Sequence, residues 1–144
     1  MVGLVLFVIG SRVVAGPCES ITTLALTDTT ITAAVVVPAG GYVPAKPFFM
    51  PVEPSRYGAL PAFCRVAGHI NPTPNSNIGF EVWLPVADWN GKLVAVGNGG
   101  YSGEIFFPFM AGPLAGGYVA TGTDTGHEGS VADASFALGH PEKV

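Results

Sequence analysis

In residues 78 to 85, IGFEVWLP, polar and apolar positions alternate: Ile78, Phe80, Val82 and Leu84 fall on one face, Glu81 and Trp83 on the other. Period two predicts a half-buried strand. The preceding run FCRVAGHI, 63 to 70, also reads as a strand, and NPTPNSN, 71 to 77, is a turn by composition. Asn90-Gly91 predicts a tight turn into KLVAVG, an apolar run without alternation. Such a run predicts a strand covered on both faces, near the centre of a sheet. Ile105, Phe106, Phe109, Met110 and Leu114 recur at helical spacing, with Ser102 or Gly103 as the candidate cap. Pro108 and Pro113 predict one broken or irregular helix, and Gly116-Gly117 ends it. A further apolar strand follows in GYVATGTDTGH, 117 to 127. Strand, helix, strand is a βαβ unit with parallel strands, so the expected class is α/β, with an antiparallel edge leading into a parallel sheet.

Upstream, β-branched residues predict a strand near Ile31–Val37, after a short helix or turn near Glu19–Leu24. Residues 38 to 61 carry six prolines and read as an irregular connection, pinned to the body by Phe48-Phe49. At the far end SFALGHPEKV stops where a helix begins, with Pro141 and Glu142 suited to its first turn. The chain therefore reads as a truncated α/β sheet.

Composition narrows the function. The chain has 144 residues, the size of one domain, 49% of them hydrophobic and 11% charged, with 20 Gly and 13 Pro. Short strands and tight turns suit that balance better than a helical bundle. The net charge is −4, with no Lys or Arg cluster, so neither nucleic acid nor an anionic membrane surface is an expected partner. The apolar run VGLVLFVI, 2 to 9, is too short to span a bilayer. It has the length of a signal-peptide core, and Val14-Ala15-Gly16 offers small residues for cleavage, although no Lys or Arg precedes the run. Residues 1–16 are thus expected to be a signal peptide and 17–144 the mature part, the alternative being an ordinary buried strand. Cys18 and Cys64 then suggest one disulfide, with two buried thiols as the alternative. A bridge closing about 45 residues would contribute roughly 3–4 kcal/mol.

The candidate chemistry lies in LVAVGNGGYSG, 93 to 103. A phosphate loop needs a Lys after its glycines, and none follows. A dinucleotide fingerprint needs a third glycine where Ser102 stands, and Asp124 is a weak candidate for a ribose contact. An anion hole for a tetrahedral intermediate remains: backbone N–H groups must approach the substrate closely, which glycine permits. A plain structural turn stays open beside it.

The blocks PAFCRVAGHINPTPNSNIGFEVWLP, DWNGKLVAVGNGGYSG, GGYVATGTDTGHEG and ASFALGHPEKV, in that order, resemble the N-terminal part of the tannase and feruloyl esterase family. The likeness runs from about residue 18 to the end and is dense after residue 60. It implies a secreted carboxylic ester hydrolase with the α/β-hydrolase fold and a large lid that often carries a structural calcium. It implies a Ser nucleophile in a Gly-Cys-Ser-x-Gly-Gly elbow with Asp and His partners, all beyond Val144, and esters of phenolic acids such as ferulate or gallate as substrates. Within these residues it implies Gly99, Gly100 and Tyr101 as half of the oxyanion hole and Cys18–Cys64 as a disulfide. No metal ligand and no cofactor are expected in this stretch.

Other residues invite a role. Ser102 lacks the Gly two places earlier that a nucleophile elbow needs. Asp124 and His127 precede any elbow, whereas hydrolase triads place Asp and His after the Ser, so both read as loop hydrogen-bonding residues near the site. His127, Glu128, Asp133 and His140 lack compact metal spacing. His69 reads as a surface or core histidine at a strand edge, and Trp83 and Trp89 as packing residues. The leading reading is a fragment of a secreted serine ester hydrolase, inactive alone. A non-catalytic secreted binding module on the same scaffold is the alternative.

Overall fold

The computed structural model describes residues 17–44, 53, 55–140 and 143. The expected signal peptide, Phe48-Phe49 and the Pro141-Glu142 helix start lie outside them. Five strands form one sheet in the order β1-β2-β3-β5-β4. The strands are β1 (Thr29–Val37), β2 (Phe63–Ile70), β3 (Ile78–Pro85), β4 (Leu93–Val96) and β5 (Val119–Thr123). β1, β2, β3 and β5 pair antiparallel in turn, and β4 joins β5 parallel. The parallel pair is linked by helix α2 (Phe107–Ala115). A four-residue helix, α1 (Ser55–Gly58), interrupts the stretch that composition marked as irregular, and Arg56 Nη1 donates to the Pro108 carbonyl of α2 at 3.1 Å.

β3 alternates as its sequence predicts, but the more deeply buried face is the one that carries Glu81 and Trp83. Gly79, Glu81 and Trp83 are the buried set, while Ile78, Phe80, Val82 and Leu84 are half-buried. Both faces are covered. On one, Trp83 and Phe63 pack with Tyr42, Tyr57, Leu60 and the α2 residues Met110, Ala111 and Leu114. Trp83 is fully buried, with its ring stacked on Phe107 at 5.9 Å and 2°. On the other face Val82 and Leu84 pack against Cys18, Ala34, Cys64 and Val66. Glu81 enters the buried set because it is fully partnered. Arg65 on β2 grips both its oxygens, Nε at 2.9 Å from Oε2 and Nη2 against Oε1, and Trp83 Nε1 donates to Oε2 at 2.7 Å. A buried carboxylate without such partners would cost several kcal/mol. The same carboxylate helps push the Tyr42 phenol far above its usual range, although burial is the main cause.

Cys18 opens a 3-10 turn (Cys18–Thr23) where a short helix or turn was expected, and it is bonded to Cys64 with Cα atoms 5.6 Å apart. The turn thereby caps the second face of the sheet.

Two further expectations change. The Asn90-Gly91 turn joins strands that are not neighbours, because β5 inserts between β3 and β4. Among the described strands β4 is therefore an edge rather than a centre, and Leu93 on it is 59% exposed. The helix begins at Phe107, without a side-chain cap, so Ser102 does not cap it. Pro108 sits in the first turn, where its missing N–H is harmless. The end is as expected. Gly117 takes a φ of 77°, and Gly117 and Tyr118 donate to Leu114 and Pro113, the double bond of a Schellman stop.

Candidate functional site

In a parallel sheet, ligands bind beyond the carboxyl ends of the strands. Here β4 and β5 end side by side and run into two loops, residues 97–103 and 124–131. The first is the glycine turn. Ser102 donates its backbone N–H to the Gly99 carbonyl at 3.1 Å, closing a β-turn over Gly100 and Tyr101. Gly100 has a φ of 56° while Tyr101 stays out of the left-handed region, the pattern of a type II′ turn. A side chain at 100 would be strained twice, since its Cβ would lie 2.5 Å from the Val131 carbonyl oxygen. Asn98 braces the turn, its Nδ2 donating to the Ser102 carbonyl at 2.8 Å.

The second loop holds the first from outside. Tyr101 donates its N–H to the Val131 carbonyl at 3.0 Å, and Gly103 donates to that of Gly129 at 3.1 Å. Of the three amides assigned to the anion hole from the sequence, that of Tyr101 is thus committed to Val131. The N–H groups of Gly99 and Gly100 have no hydrogen-bond partner among the described residues. Tyr101 is 44% exposed beside them. Two neighbouring amides left open on a fixed turn can donate to one anionic oxygen.

Asp124 and His127 do not bond to each other. Asp124 Oδ1 accepts from the N–H groups of Gly79 and Gly126, each at 2.8 Å. A Cβ at Gly79 would overlap this carboxylate, which would then have to shift from its place. Burial raises the Asp124 carboxyl above the usual Asp range, against the pull of those two N–H groups and the nearby His69 and His127. His127 reaches the other way and donates Nε2–H to the Tyr101 carbonyl at 2.8 Å. His69 lies on an interior strand, not an edge, and its buried Nδ1 has no partner among the described residues. Ser102 is buried inside the turn. Trp89 is 60% exposed and is not core. Among the described residues no three His, Cys, Asp or Glu side chains are grouped to hold a metal ion.

The sequence reading missed Val131, Gly129 and Phe136. The first two act through carbonyl groups, which every residue type carries. Phe136 stacks on the His127 ring at 3.7 Å and 15°.

A family profile described as Tannase and feruloyl esterase matches residues 64–144, more than half of the chain. This chain belongs to the tannase and feruloyl esterase family. An uncharacterized esterase of Xanthomonas campestris pv. campestris is 42% identical over 127 residues, 88% of this chain and 21% of that protein. A probable feruloyl esterase B-2 of Aspergillus flavus is 38% identical over 73 residues, 51% of this chain and 14% of that protein. The crystal structure of feruloyl esterase B from Aspergillus oryzae superposes with a TM-score of 0.65 at 29% identity, covering 78% of this chain and 22% of that one. The fold is accordingly that of an α/β-hydrolase sheet, and the chain spans about a fifth or less of the length of its tannase and feruloyl esterase relatives.

Proposed function

We propose that this chain is the N-terminal part of a secreted serine hydrolase of phenolic-acid esters, feruloyl or galloyl in type. In this reading residues 1–16 are the leader and 17–144 begin the catalytic domain. The amides of Gly99 and Gly100 form half of the oxyanion hole, with Tyr101 anchoring the turn through its own backbone. The observation that carries the reading is the pair of open amides on a braced turn at the carboxyl ends of β4 and β5. When a nucleophile adds to the ester carbonyl, the oxygen becomes an anion, and donors already aimed at it need no reorganisation. Each such donor is worth about 10²–10³ in rate. The names of the relatives supply the ester class, and the disulfide supports an oxidising, extracellular setting.

The nucleophile, its His and its Asp come from sequence beyond Val144, so the 144-residue chain alone is inactive. The test has two parts. Purified chain is assayed on methyl ferulate and methyl gallate, where no turnover above buffer is expected. The transcript is then read past the Val144 codon, where an open frame reaching Gly-Cys-Ser-x-Gly-Gly is expected. Esterase activity of the short chain that a serine reagent abolishes would overturn the fragment reading. A stop codon at that point, with binding of the esters but no cleavage, would favour a binding module instead.

A further inference from the structure

We infer that His127 is a positioning residue that locks the Gly99–Ser102 turn in the shape an anion hole requires. The functional half of this inference rests on the ester hydrolase reading above. The clamp itself rests on geometry alone.

Thr125, two residues before His127, has a φ of 60°. A β-branched residue in the left-handed region costs on the order of 1–2 kcal/mol and persists only where neighbours over-determine it. Here three bonds do so. Thr123 Oγ1 accepts the Thr125 N–H at 3.1 Å, Asp124 Oδ1 accepts the Gly126 N–H at 2.8 Å, and Thr125 Oγ1 donates to the Asp124 carbonyl at 2.6 Å. The strained turn folds the chain back toward the glycine loop. His127 then lies against Gly103, where a Cβ would overlap the His127 backbone carbonyl and meet its ring. Its Nε2–H donates to the Tyr101 carbonyl, and Phe136 fixes the plane of the ring by stacking. With the Tyr101 N–H already given to Val131, both backbone polar groups of Tyr101 are held by the second loop. The Tyr101–Ser102 peptide plane, whose N–H also closes the turn on the Gly99 carbonyl, therefore cannot rotate without breaking the bond to His127. The role of His127 is to fix where the neighbouring amides point, not to touch substrate.

Residue-resolved amide hydrogen exchange on this 144-residue chain tests the clamp. In His127→Ala the amides of Tyr101 and Ser102 should exchange about tenfold faster, while those of Val82 and Trp83 in β3 stay unchanged. His127→Gln, which keeps a donor, should recover most of the protection. Phe136→Ala, which leaves the donor but removes the stack, should give a smaller acceleration and serves if His127→Ala fails to fold. Unchanged exchange at Tyr101 and Ser102 in the variants, or equal acceleration in the turn and in β3, would overturn the inference. Exchange reports the clamp whether or not the chain is part of an esterase, so a failed clamp is distinguishable from a failed functional reading.

Discussion

The antiparallel half of the sheet and the parallel half are held together by different means. β1, β2 and β3 are fastened by side chains: the Cys18–Cys64 disulfide, the Arg65–Glu81 ion pair, and the Tyr42, Phe63 and Trp83 rings. In the loops beyond β4 and β5 the fastening is done by the backbone. Loop carbonyls accept loop N–H groups, and glycines stand where a Cβ would strike a neighbour's main chain. The two halves should therefore fail in opposite ways. Removing side-chain atoms should injure the first, and adding one carbon should injure the second.

The largest effect is expected at Trp83. Truncation to Ala empties the centre of the first half and strips a donor from Glu81, and it should lower stability by about 3–5 kcal/mol in urea denaturation. Replacing Cys18 and Cys64 together with Ser should cost roughly 3–4 kcal/mol, because the bridge spans a sequence separation of 46. It should leave the β3–β5 pairing intact in exchange measurements. If either loss fell below about 1 kcal/mol, the side-chain account of this half would be wrong.

In the parallel half the sharper test is a pair of substitutions. Gly100→Ala meets both a positive φ and the Val131 carbonyl, and should cost about 2 kcal/mol. Gly99→Ala meets nothing within 4 Å and has no positive φ, and should change stability by less than about 0.5 kcal/mol. Equal costs at the two sites would erase the contrast between the halves.

The smallest expected effect is one of pH. The Asp124 carboxyl is raised in the folded state, mainly by burial, so the folded chain holds that proton more tightly than the unfolded chain. Its contribution is most favourable below the usual Asp value and declines as pH rises through the raised folded value. Asp124→Asn keeps an oxygen for the Gly79 and Gly126 amides and removes the titration. The stability lost by wild type on that upward crossing should be absent in the variant, as a thermal melt at several pH values would show. A variant with the same decline would put its origin elsewhere.

What the sequence revealed follows the same division. β2 and β3 were legible to the residue, since side-chain type and period mark them. The Schellman stop after α2 was legible because glycine marks it. The burial of Glu81 was not, because a charged letter reads as exposed until its Arg65 partner is seen across two strands. Nor was the pairing of β4 with β5 instead of β3, since the insertion of β5 between sequential strands is a property of topology rather than of local pattern. The glycine turn was legible as a place where backbone does the work. Which of its amides are open was not, because the acceptors that decide it, Val131 and Gly129, contribute only their carbonyls.

The disulfide also sets how the molecule would carry a mechanical load. A pull applied at the N-terminal end would reach Cys18 and pass through the sulfur bridge to Cys64, on interior strand β2. The intervening chain, with β1 and α1, would bear none of it. Stretched under oxidising conditions, the sheet would have to shear at β2–β3 before β1 could peel away. Reduction would reverse that order and make the outermost strand the first to go.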